Sequence, residues 1–107
     1  MIELALNEKA IIWRKRNKLM QSKAADYFRI KRHHWKYIEY GKMQPNSDII
    51  NCIGLIEPTP NEACAVVRKR RKLTQSQFAK KLGISRQYLN MIENGRAIFY
   101  FYEIFGH

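Results

Sequence analysis

The sequence contains one 29-residue pattern twice. Residues 14–42 read RKRNKLMQSKAADYFRIKRHHWKYIEYGK, and residues 68–96 read RKRRKLTQSQFAKKLGISRQYLNMIENGR. The two windows align without a gap at an offset of 54 residues and are identical at 13 of their 29 positions. A repeat of this kind indicates that one small structural unit occurs twice. We therefore predict a first unit over residues 1–57 and a second over residues 58–107.

The positive charge of the chain lies in this repeat. The sequence has 20 Lys and Arg residues against 9 Asp and Glu, a net charge of +11, and every basic residue except Lys9 falls inside the two windows. Such an excess predicts an anionic partner, with nucleic acid first and an acidic membrane surface second. The alternative interpretation is a basic protein whose charges are only solvated.

Several classes of protein do not fit the sequence. It has no basic-led apolar leader and no run of about 18 apolar residues, so we expect a cytoplasmic protein that does not insert into membranes. Cys52 and Cys64 lack metal-ligand spacing, and we expect both to be buried as small apolar residues. No nucleophile–base pair or glycine-rich phosphate loop is present, which predicts no enzymatic activity, no cofactor and no small-molecule ligand.

The second copy carries the local signals of three short helices. Asn61 is predicted to cap the first helix, Thr74 the second and Ser85 the third, because their side chains can accept from exposed backbone N–H groups. Gly83 is suited to a left-handed turn after the second helix, and Gly95 ends the third helix. Two short helices joined by a glycine-containing turn form a helix-turn-helix. The predicted fold is all-α, with two tandem units packed as one compact body.

The segment TQSQFAKKLGISRQYLNMIENG resembles the Cro/C1-type, or XRE, family of helix-turn-helix proteins. The family pattern is Leu-Thr-Gln, a small Ala, Gly-Ile-Ser, an Ile and then Glu-Asn-Gly, and all of it is present before residue 96. The resemblance implies lambda-repressor-like units and a sequence-specific regulator of transcription. It further implies a repressor or autorepressor of a phage or mobile-element operon, bound to a palindromic operator on double-stranded DNA.

The first copy departs from the pattern at three positions. Met20 stands in place of the capping Thr, Arg29 in place of the turn Gly, and Lys31 in place of the capping Ser. Each change weakens a local signal by up to about 1 kcal/mol. The first unit therefore either keeps the fold as a packing partner or presents a second reading helix. Between the copies, Ser47 is predicted to cap a fourth helix over residues 48–56, which Pro58 and Pro60 end.

The resemblance implies that the third helix enters the major groove of DNA. The residues it assigns to base contacts are Ser85, Arg86, Gln87 and Asn90, with Tyr88 near the DNA backbone. Arg can bond guanine at two atoms, and Gln or Asn can do the same with adenine. In the first copy, the corresponding second reading helix carries Lys31, Arg32, His33 and Lys36.

Other repeated residues receive different roles. Gln75 and Gln21 each open a second helix, where an amide and the helix dipole are predicted to hold a phosphate. The resemblance implies salt bridges between Arg14 and Glu39 and between Arg68 and Glu93, which maintain the fold. The adjacent His33 and His34 point to different sides of a helix and lack a third ligand, so we expect no metal site.

Residues 98–105 read IFYFYEIF and are the most aromatic part of the chain. A single short helix cannot bury rings on all its sides, so another surface must cover some of them. We expect a homodimer formed through Phe99, Tyr100, Phe101, Tyr102 and Phe105. The alternative is that the other unit of the same chain covers these rings.

Two other functions remain open at this stage. One is a protein-interaction module, such as an antitoxin or an inhibitor on a helix-turn-helix scaffold, and the aromatic C-terminal segment favours this alternative. An RNA-binding regulator is the other alternative, because single-stranded RNA is read by stacking on aromatic rings. The rings that support it are Tyr27, Trp35, Tyr37 and Tyr40.

Overall fold

The computed structural model describes residues 2–98, and these form seven helices and no strand. The prediction of an all-α fold is confirmed for this part of the chain. The helices are α1 (Leu6–Arg16), α2 (Gln21–Tyr27), α3 (Arg32–Glu39), α4 (Ser47–Ile53), α5 (Pro60–Arg70), α6 (Gln75–Leu82) and α7 (Arg86–Glu93). The chain divides into two compact units, Met1–Glu57 and Pro58–His107. No helix among the described residues is long and apolar enough to cross a membrane.

The first unit packs α1 to α4 around a fully buried tryptophan. Trp35 of α3 belongs to one apolar cluster with Ala24 and Ala25 of α2 and with Ile49 and Ile53 of α4. The small alanines leave the space that the indole fills, as close packing of a protein interior requires. The ring of Phe28 stacks on that of Trp35 at a centroid distance of 5.6 Å and an interplanar angle of 9°.

The second unit packs α5, α6 and α7 around a different large side chain. Phe78 of α6 is fully buried in a cluster with Cys64, Ala79, Leu89 and Ile92. The prediction that Cys64 is buried is confirmed, and burial raises the pKa of its thiol to about 12. Glu93 adds to that rise through its negative charge. The prediction for the other cysteine is wrong, because Cys52 is exposed on α4 while Ile49 and Ile53 occupy its buried side.

The helix ends agree with the sequence in α6 and α7. The Thr74 hydroxyl accepts from the backbone N–H of Gln77 at 3.1 Å, and the Ser85 hydroxyl accepts from that of Tyr88 at 3.0 Å. Gly83 follows α6 in the left-handed conformation with φ of 72°. These bonds satisfy N–H groups that have no partner inside the helix. The predictions for Thr74, Ser85 and Gly83 are therefore confirmed.

Two other predicted caps are wrong by one or two residues. Thr59, not Asn61, caps α5, because Pro60 fits the first helical position and Glu62 returns a bond to the Thr59 backbone N–H at 2.8 Å. Asn61 instead donates to the carbonyls of Ile92 and Ala97. In α4 the cap is Asn46, so Ser47 is the first helical residue, and this helix ends at Ile53, earlier than predicted.

Candidate nucleic-acid interface

Helix α7 presents one side to solvent and the other to the core of the second unit. Leu89 and Ile92 are buried, whereas Arg86, Gln87 and Asn90 are exposed. Ser85 is also exposed and forms the cap at the start of the helix. The structure thus brings four of the predicted base-contacting residues together at the N-terminal half of one short helix. An exposed α-helix of this size fits the width of a DNA major groove.

Three neighbours of this surface, Asn94, Tyr88 and Met91, add detail to it. The side chain of Asn94 donates to the carbonyl and to the side-chain oxygen of Asn90, so it fixes the orientation of the Asn90 amide. Tyr88 and Met91 are 42% and 45% exposed and flank the surface. The exposed side of α7 therefore combines polar groups at its start with two partly exposed apolar side chains further along.

A buried polar network holds α7 in place behind this surface. Glu93 accepts from Arg68 Nε at 2.7 Å and from Arg68 Nη2 at 3.0 Å. The same carboxylate accepts from Gln75 Nε2 at 3.1 Å. These residues belong to α5, α6 and α7, so one carboxylate connects three helices. Arg68 also donates to the carbonyl of Leu73 and thereby fixes the loop before α6.

The first unit contains the same network with one additional donor. Glu39 accepts from Arg14 at 2.5 and 3.2 Å, from Gln21 at 3.0 Å and from the indole nitrogen of Trp35 at 2.5 Å. Arg14 also donates to the carbonyl of Leu19. The geometry agrees with the predicted ion pairs of both units. A buried carboxylate requires such donors, since an unpaired charge in the interior is costly.

Two glutamines make bonds that the sequence pattern alone does not predict. Gln21 and Gln75 were predicted as phosphate contacts, and the structure places each amide nitrogen on the buried glutamate of its own unit. The available signal was the repeated separation of 18 residues between each glutamine and its glutamate.

Helix α3 occupies the same place in the first unit that α7 occupies in the second. Lys31 precedes it without a side-chain capping bond, and Arg32, His33 and Lys36 are all exposed. The structure thus groups the residues predicted for a second reading helix. Around them are aromatic side chains: the rings of His33 and Tyr37 lie 6.1 Å apart, and Lys36 Nζ lies 5.7 Å from the centroid of Tyr40.

Within residues 2–98, no group of three His, Cys, Asp or Glu side chains is placed to hold a metal ion. His33 and His34 have ring centroids 5.0 Å apart in an edge-on arrangement, without a nearby third ligand in that set. The predicted dimer residues Phe99, Tyr100, Phe101, Tyr102 and Phe105 lie outside the described residues.

A family model described as Helix-turn-helix matches residues 66–99. The match begins in α5, includes the whole of α6 and α7, and supports the Cro/C1-type family for this segment. The match indicates a DNA-binding regulator. Proteins of this family are generally not enzymes. Comparisons with curated proteins and with solved structures give no match.

Proposed function

We propose that this protein is a sequence-specific, double-stranded DNA-binding repressor of transcription, and that its operon belongs to a phage or another mobile element. The proposal rests on one observation above all. Arg86, Gln87 and Asn90 are exposed together on the second helix of a helix-turn-helix, and the Glu93 network fixes that helix from behind. Side chains that read bases discriminate best when their supporting helix is rigid.

In this proposal, Arg86 bonds a guanine, while Gln87 and Asn90 read adenines, with Ser85 beside them. Tyr88, Gln75 and Gln21 contact the DNA backbone. The bond from Gln75 to Glu93 supports such a role, because an amide nitrogen carries two hydrogens. One hydrogen bonds Glu93 and orients the amide, and the second remains for a phosphate oxygen. Gln21 has the same arrangement with Glu39.

We further propose that the first unit is a tandem copy of the same module. Helices α1 and α5 begin and end at the same repeat positions, as do α3 and α7. The left-handed residues Lys18, Arg29 and Gly41 also recur 54 positions later as Lys72, Gly83 and Gly95. In this arrangement Lys31, Arg32 and Lys36 bring cationic groups, and His33 an imidazole ring, to DNA.

Selection of bound duplexes from a random DNA pool tests the proposal. We expect one enriched motif, bound at salt concentrations that abolish binding to random duplex. Arg86→Ala and Gln87→Ala should each cost about 1–3 kcal/mol on the selected site and relax the preference at one position. Gln75→Ala should instead weaken all duplexes alike, because it removes a proposed contact to the DNA backbone. Equal affinity for selected and random duplexes at every salt concentration would disprove sequence-specific binding.

The proposed operator is palindromic, and the protein binds it as a homodimer through residues 98–105. The described part of this segment supports an interface, because Ile98 is 70% exposed. Two α7 helices would then lie about 34 Å apart, which is one turn of DNA. Light scattering on the full chain and on a chain ending at Ala97 should give a dimer and a monomer, respectively. A full-length monomer that binds its selected site as a monomer would contradict the dimer.

A further inference from the structure

We propose that α3 of the first unit carries a binding site for single-stranded nucleic acid, in which unpaired bases stack on tyrosine rings. The site consists of His33, Lys36, Tyr37 and Tyr40, here called the α3 stripe. These residues are spaced at i, i+3, i+4 and i+7, so they lie along one side of the helix. The ring and cation contacts within the stripe agree with this alignment.

The α3 stripe is exposed although it is aromatic. Tyr37 is 41% exposed and Tyr40 is 59% exposed, and Tyr27 at the end of α2 is 64% exposed. Trp35 of the same helix is fully buried and supplies the core contact, so the tyrosines are not needed for packing. Aromatic rings that remain in solvent next to cations are the feature with which proteins hold unpaired bases.

The corresponding side of α7 has different chemistry. The residues 54 positions later are Gln87, Asn90, Met91 and Asn94, which offer three amides and no ring. Amides match the donors and acceptors on the edges of paired bases, whereas rings match the flat faces of unpaired ones. The two units therefore present surfaces suited to two states of nucleic acid.

The charge around the α3 stripe fits a phosphodiester chain. Lys31, Arg32 and Lys36 are exposed on or beside α3, and the stripe contains no carboxylate. Glu39 of the same helix is buried and paired with Arg14, so it does not oppose an incoming phosphate. The cations can bind the backbone of either a duplex or a single strand, but the rings distinguish the two. This inference does not depend on sequence reading by α7.

Fluorescence anisotropy with the full chain tests the site. The probes are a 12-nucleotide dT oligomer, a 12-nucleotide rU oligomer and a 12-base-pair duplex of random sequence. Tyr37→Leu and Tyr40→Leu should each weaken binding of the oligomers about tenfold, and together about a hundredfold, with less than about threefold change for the duplex. Tyr37→Phe and Tyr40→Phe keep the rings and should bind the oligomers as the wild type does.

Met91→Leu in the second unit is the matched control and should leave binding of both oligomers unchanged. Preference for dT or for rU identifies the natural strand as DNA or RNA. The inference is overturned if the wild type does not bind either oligomer at low salt, or if the leucine variants lose oligomer and duplex equally. These results are separate from failure of the proposed repressor function, which would appear as the absence of an enriched duplex motif.

Discussion

The first three helices of each unit begin at the same repeat positions, but the two units stabilise them by different local means. In the second unit, Thr74 and Ser85 cap α6 and α7, and Gly83 provides the left-handed turn between them. In the first unit, Met20 and Lys31 stand at the corresponding positions without a side-chain capping bond, and Arg29 adopts the left-handed conformation at φ of 57°. The helices of the first unit thus form at the corresponding positions although these local signals are absent.

The core and the polar network account for this persistence. The first unit has Trp35 where the second has Leu89, and Ala24 where the second has Phe78. The largest core side chain therefore lies on the third helix of the first unit but on the second helix of the second unit. The indole also adds a donor to Glu39. What the first unit lacks in caps it gains in aromatic packing and in one further hydrogen bond. The shared elements, the Arg–Glu–Gln networks, are therefore the ones we expect to be essential.

The largest effect is expected on removing the carboxylate of a network. Glu39→Gln and Glu93→Gln should each lower the free energy of unfolding by up to about 3–5 kcal/mol, because each leaves an arginine without its partner in a partly buried place. Glu39→Gln should cost more, since Glu39 has an additional donor. Calorimetric unfolding of both variants measures the difference.

Asp26→Asn is the control for loss of one negative charge, because Asp26 is exposed on α2. It should change the free energy of unfolding by less than about 0.5 kcal/mol. If the two glutamate variants unfold as the wild type does, the networks do not stabilise the units in which they lie. If Glu93→Gln proves the more destabilising, the donor count does not explain the difference between the units.

The second prediction concerns the exchange of core volume. Trp35→Leu should destabilise the first unit by about 2–4 kcal/mol through a cavity, and Ala24→Phe by about 1–3 kcal/mol through overpacking. The double variant has the pair found in the second unit, and we expect it to recover about 1–3 kcal/mol relative to the sum. Recovery should be incomplete, because Glu39 still loses its indole donor. Urea unfolding of the three variants gives the coupling energy.

Leu55→Ala is the matched control for an apolar truncation, since Leu55 is 95% exposed and its loss should cost less than about 0.5 kcal/mol. Strict additivity of Ala24→Phe and Trp35→Leu would contradict the idea that these two positions compensate for each other.

The comparison also explains which parts of the structure could be predicted from the sequence. The helix ends of the second unit can be predicted locally, because Thr74, Gly83 and Ser85 each satisfy a backbone requirement within a few residues. The helices of the first unit can be predicted only from its alignment with the second. The cap at Thr59 was missed although the Thr-Pro-Asn-Glu segment contains it, since Thr59 and Glu62 form a capping box around Pro60.

Other features depend on tertiary contacts and could not be predicted. The exposure of Cys52 follows from which side of α4 faces the core of the first unit, and no local pattern fixes that side. The same holds for Asn61, which bonds carbonyls more than 30 residues away. For the candidate site, Arg86, Gln87 and Asn90 lie together on α7, as the resemblance to the Cro/C1-type family implies. The bonds from Gln75 and Gln21 to buried glutamates could not be predicted, because they depend on side-chain direction.

The smallest effects are expected on exchanging local signals between the units. Thr74→Ala should cost about 1 kcal/mol, whereas Met20→Thr should gain about 0.5–1 kcal/mol by supplying a cap that α2 lacks. Arg29→Gly should be neutral or stabilising by up to about 1 kcal/mol, because glycine adopts positive φ without a steric cost. Gly83→Ala should destabilise the second unit. Only the backbone conformation opposes this substitution, since a Cβ there would have no neighbour within 4 Å.

Thermal unfolding of the four variants checks these signs. If Met20→Thr and Arg29→Gly both destabilise the protein, the aromatic packing of the first unit has fixed its helix ends in a geometry that differs from that of the second, and the two units share a sequence pattern more closely than they share a structure.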